Sequence, residues 1–153
     1  MSVSTKLLKG FESQSEKLEK FVQKYDDKSL SRRLSPEKWS GKEIIGHLGD
    51  CEQVYGFRFR LAVAQPGTPF QTFEQVPWVA KLRHQERPVG ELVAYFKNLR
   101  MTNAALLKTL KDDEWEKFGI HPESGTLSVG DMVKRLTDHF ERHLQQVEKA
   151  ANN

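Results

Sequence analysis

The chain has 153 residues, 37% hydrophobic and 29% charged, with 24 Lys and Arg against 21 Asp and Glu and a formal charge of +3. That balance excludes a disordered chain and suits a single globular domain over residues 1–153 with a real core. The charges are intermixed, with no basic run interleaved with aromatics, so no nucleic-acid partner is expected. No apolar run approaches the length that spans a membrane, and Met1–Lys6 carries no apolar leader. The lone cysteine, Cys51, forms no intrachain disulfide, and a cytoplasmic setting is expected.

Apolar residues at helical spacing (Leu7, Phe11, Leu18, Val22, Tyr25) predict a first helix from about Ser4 to Tyr25. Pro36 interrupts the connection that follows. Ser40-Gly41-Lys42-Glu43 has the form of a capping box, so a second helix should begin there and run to about Ala64. Its apolar face carries Ile44, His47, Leu48, Cys51, Val54 and Tyr55.

Gln65-Pro66-Gly67-Thr68-Pro69 stops this helix. The link from there to Pro88 is long for a bundle and rich in aromatic and aliphatic residues. It predicts a short extra helix around Thr72–Arg83 and permits a crossover. A third long helix is predicted from about Val89 to Lys111, with Asn103 in its buried seam. Asp112 to Leu127 is a second connection. Thr126 or Ser128, the latter with Asp131 as a capping-box variant, can cap a fourth helix running to about Ala150, whose inner face includes Leu136, His139, Phe140, His143, Leu144 and Val147. The fold predicted is all-α, a four-helix bundle.

The chemistry lies in Asp138-His139-Phe140-Glu141-Arg142-His143. Residues four apart on a helix share a face, so His139 and His143 can converge on one ion. His47 offers a third imidazole from another helix. It stands near the start of its helix as His143 stands near the end of its own, so antiparallel packing brings them level. Three neutral imidazoles leave a fourth position open, the arrangement of catalytic rather than structural zinc. Cys51, one turn after His47, could close that position; as a small core hydrophobe it would not. Gln146 is expected to face inward and donate to a ligand or substrate. Asp50 and Glu52 are candidates to orient His47. His84 and His121 read as surface residues. Two alternatives stand beside the enzyme: a non-catalytic metal-binding or interaction bundle with a stress-response or sensory role, and a bundle with an idle triad.

Trp39-Ser40-Gly41-Lys42-Glu43-Ile44-Ile45-Gly46-His47-Leu48, followed by Glu52, resembles the signature of the DinB-like superfamily, as does His139-Phe140-Glu141-Arg142-His143-Leu144-Gln145-Gln146. The resemblance implies up-down-down-up connectivity and a zinc or nickel ion held by His47, His139 and His143. It also implies thiol-dependent chemistry, since bacillithiol S-transferases and mycothiol-dependent maleylpyruvate isomerase are relatives, and frequent homodimers. The expectation is therefore a divalent-metal enzyme acting on a small electrophile. It would be of thiol S-transferase or hydrolase type, drawing on a low-molecular-weight thiol or water.

Overall fold

The structure is a computed structural model describing residues 1–153. Its elements in order are α1 (Val3–Val22), α2 (Asp27–Leu30), α3 (Gly41–Ala64), α4 (Gln75–Lys81), α5 (Val89–Thr109), β1 (Phe118–His121), β2 (Gly125–Ser128) and α6 (Val129–Ala151). Single turns of 3-10 helix cover His84–Glu86 and Asp112–Glu116.

The helix starts follow from capping chemistry. Ser40 accepts from the Glu43 backbone N–H while the Glu43 carboxylate accepts from Ser40 N, so α3 begins at Gly41. Ser128 and Asp131 make the same reciprocal pair at α6.

Side-chain contacts fix the direction of each helix. Gln14 and Lys17 of α1 meet Glu141, and Leu7 approaches Gly130, so α1 and α6 run parallel. Gly49 meets Tyr95 and Gly56 meets Asn103, so α3 and α5 run parallel to each other. Gly41 lies against Val147 while His47 meets His139, so α3 opposes α6. This is the up-down-down-up bundle. The long α3–α5 connection is what allows α5 to start again at the same end as α3.

The apolar stripes form two clusters. One centres on Phe11, Tyr55, Phe59 and Met132, the other on Leu18, Ile45, Phe96 and Phe140. Each fully buried side chain of this size contributes about 1.5–3 kcal/mol. Arg100, 1% exposed, joins them: its guanidinium lies 3.8 Å from the Phe11 ring centre and 4.9 Å from that of Phe96. Its charge is met by Glu52 at 2.7 Å, and Nη1 donates to Phe11 O and Gln14 Oε1.

Three features differ from the sequence expectation. The extra helix is shorter, Gln75–Lys81, and α2 is an added turn. The second connection folds back as an antiparallel hairpin in which Phe118 faces Ser128 and His121 faces Gly125. The hairpin also holds the exit of α3: Gly67 N donates to Phe118 O and Phe70 N to Ile120 O. Backbone groups in that exit are thereby satisfied, which a free loop would leave to water. No helix is long and apolar enough to cross a membrane.

Candidate metal centre

His47 is fully buried on α3, and His139 and His143 are half-buried on α6. Their Nε2 atoms come together: His47 to His139 is 3.3 Å and His139 to His143 is 2.9 Å. Two nitrogens bonded to one tetrahedral ion at the usual zinc–nitrogen length stand about 3.3 Å apart. The His47–His139 separation therefore suits two ligands of one ion, and the His139–His143 separation is shorter.

Burial supplies the right protonation state. Burial first, then the neighbouring His143 and His139, pushes His47 down to about 3. Burial, then His143, does the same for His139, also to about 3. Burial also lowers His143, against a contribution from Gln146 that raises it. All three rings keep free lone pairs at neutral pH, which a metal requires and which two crowded imidazoliums would forbid.

The tautomer of His143 is fixed from behind. Gln146 Oε1 lies 2.8 Å from His143 Nδ1, so Nδ1–H donates and Nε2 is left as the acceptor. Gln146 is itself an exposed residue, in contrast to the inward position expected from its spacing. It nonetheless lines a cavity of about 470 Å³ with Trp39, Lys38 and Lys149.

Aromatic rings cover the imidazoles. Trp39 lies 5.0 Å from the His47 ring centre and 6.3 Å from that of His143, and Phe73 stacks on His47 at 6.4 Å. Phe73 comes from the stretch leading into α4, so the long connection acts as the roof of the site. Trp39 opens the signature segment and Phe73 lies in the apolar link, but their place over the imidazoles was not read from the sequence, because both sit in irregular stretches where periodicity says nothing.

Cys51 Sγ lies 3.6 Å from His47 Nε2, and His47, Cys51 and His139 together have the spacing of a metal-holding group. Burial first, then the Glu52 and Asp50 carboxylates, pushes the thiol well above its usual value. It therefore rests as a protonated thiol.

Neither acid expected to orient His47 does so. Glu52 is bound by Arg100 and Asn103, and Asp50 by His84 and Tyr95. His84, expected at the surface, is 1% exposed, with Nε2 2.7 Å from Asp50 Oδ2. The available signal was a pair of helical glycines. A Cβ at Gly46 would lie 2.2 Å from His84 Cγ, and one at Gly49 2.2 Å from the Tyr95 ring. Their bareness lets both side chains reach Asp50. Asn103 bonds Glu52 and Arg60 and stays away from the imidazoles. His121 lies in the hairpin, half-buried, where Nδ1 accepts from the backbone of Glu123 and Ser124.

A family model described as the DinB superfamily matches residues 11–147. A protein of Oceanobacillus iheyensis named "Putative metal-dependent hydrolase" is 23% identical over 95% of this chain and 84% of its own. One of Halalkalibacterium halodurans with the same designation is 22% identical over 82% of this chain and 72% of its own. Among solved structures, YfiT from Bacillus subtilis superimposes with a TM-score of 0.87 at 18% identity, over 97% of this chain and 86% of that one. It is described as a probable metal-dependent hydrolase with an unusual four-helix bundle topology. At that identity the likeness is one of fold.

Proposed function

We propose that this chain, which belongs to the DinB superfamily, is a metal-dependent enzyme of hydrolase type with His47, His139 and His143 as the ligands of one divalent ion. The observation that carries the reading is the convergence of three neutral Nε2 atoms, two of them on half-buried rings, at 3.3 and 2.9 Å. The names given to the relatives point the same way. Such an ion supplies Lewis acidity and lowers the pKa of a water or thiol bound to it, so that a nucleophile exists near neutral pH.

The protein's own contribution is orientation and exclusion of water. Gln146 holds the His143 tautomer, and the rings of Trp39 and Phe73 shield His47. The cavity beside Trp39 and Gln146 has room for a small organic substrate at about 470 Å³. Zinc and nickel both suit an all-imidazole site.

A second reading is thiol S-transfer, in which a low-molecular-weight thiol occupies the open position. Lys38 and Lys149, against the single acid Glu37, give the cavity beside Trp39 an excess of positive charge that suits an anionic thiol. Zinc- or nickel-loaded protein assayed on an ester and amide panel, and separately on an electrophile with added thiols, tests both. Turnover abolished in His139→Ala is expected in one assay. Absence of turnover in both, with metal bound, would contradict the enzyme reading.

A further inference from the structure

Arg58 is 3% exposed, yet no carboxylate lies within ion-pairing distance of it. Its Nη2 donates to Gln71 O at 2.9 Å, and its guanidinium lies 4.9 Å from the Tyr55 ring centre and 5.3 Å from that of Phe70. The other fully buried arginine, Arg100, has its own glutamate. A buried cation without a carboxylate partner is costly, and burial lowers the Arg58 value, only partly offset by the Tyr55 hydroxyl beside it.

Arg58 nevertheless borders a cavity of about 350 Å³, lined also by Tyr55, Thr72, Phe73, Gln75 and His121. His121 accepts two backbone N–H groups on Nδ1, which leaves Nε2–H as its donor. Burial first, then Arg58 and Arg135, lowers its pKa, so it is a neutral donor. The Tyr55 and Thr72 hydroxyls can donate as well. The one acid in the lining, Glu123, makes no ion pair with Arg58.

Phe73 and one face of α3 connect this cavity to the imidazoles. His47, Cys51, Tyr55 and Arg58 follow one face of α3, and Phe73 both walls the cavity and stacks on His47. The rise from His47 to Arg58 is roughly 16 Å. The Arg58 side chain shortens it by leaning back towards the N-terminus, as its approach to Tyr55 shows.

We infer that Arg58 and His121 form an anion subsite that takes a carboxylate on a small, partly apolar molecule. The planar guanidinium fork matches a carboxylate, and Tyr55, Phe73 and Pro122 suit an apolar body. That this molecule is the substrate of the metal centre rests on the reading above; the subsite itself does not.

The test is titration with 3-phenylpropionate, with 3-phenylpropionamide as the uncharged control and inorganic phosphate as the alternative anion. Affinity is read by calorimetry, and location by NMR of the Arg58 Nε–H and His121 ring. Saturable carboxylate binding that moves both signals is expected, with the amide weaker. Loss of the charged hydrogen bond in Arg58→Gln should weaken the carboxylate about ten- to a hundredfold. His121→Ala, which alters only the hairpin, should weaken it several-fold and stands as the test if Arg58→Gln does not fold. His139→Ala should bind the carboxylate normally while losing metal, which separates the two readings. Equal affinity for acid and amide, or unchanged binding in Arg58→Gln or His121→Ala, would overturn the subsite. Tighter binding of phosphate would overturn the carboxylate assignment.

Discussion

Gln146 Oε1 accepts a hydrogen bond from His143 Nδ1 at 2.8 Å, one turn along the same helix. The contact decides which nitrogen of His143 faces His139, because a donor at Nδ1 leaves the lone pair at Nε2. Gln146→Leu removes the acceptor without removing a ligand. It should weaken metal affinity about ten- to a hundredfold. Helical content should be unchanged, since Gln146 is exposed. Competition titration against a chelator reads this directly. Wild-type affinity in the variant would show that the tautomer is set some other way.

Cys51 distinguishes an open site from a closed one. Its sulfur is 3.6 Å from His47 Nε2, close enough to be drawn in as a fourth ligand. With an open position, Cys51→Ala keeps metal binding within a few-fold. The cobalt-substituted wild type should also lack a thiolate-to-metal absorption band. A large loss of affinity together with such a band would make the centre structural.

The Glu52–Arg100 pair sits where the two apolar clusters meet, with both side chains 1% exposed. Removing one charge strands the other in a low-dielectric core. Glu52→Ala should therefore cost about 3–5 kcal/mol in urea denaturation. Adding Arg100→Met should recover part of that loss. A loss below about 1 kcal/mol in the single variant would mean that water reaches the pair.

Glu43 ties acid stability to the start of α3. Burial raises its pKa, but the bonds from Arg33 and Ser40 outweigh burial and hold it below the ordinary glutamate value. A folded-state value below the unfolded one gives stability that is present above the unfolded pKa. It is lost as pH falls through the folded pKa. The advantage of the wild type over Glu43→Gln in thermal melts should accordingly be full near neutrality and shrink on acidification. A pH-independent difference would assign Glu43 a purely geometric role.

Much of the bundle is legible in the sequence because its helices are punctuated by side chains. The Ser40–Glu43 box marks the start of α3, and Ser128–Asp131, one of the two caps the sequence allows, marks that of α6. The meeting of His47, His139 and His143 follows from spacing and antiparallel register; their service as ligands is a separate matter. The hairpin escapes notice because Phe118–His121 and Gly125–Ser128 are four residues each, too short for an alternating pattern. His84 reads as exposed because Arg83, Gln85, Glu86 and Arg87 surround it, while its partner Asp50 is 34 residues away. The lone charge of Arg58 is likewise invisible, since only the fold shows that no acid forms an ion pair with it.

The most direct test of the central claim is elemental analysis of protein purified without a metal-affinity tag, with His143→Ala alongside. Near-stoichiometric zinc or nickel in the wild type and none in the variant is the predicted result. No bound metal in either protein, even after incubation with zinc and nickel salts, would contradict it.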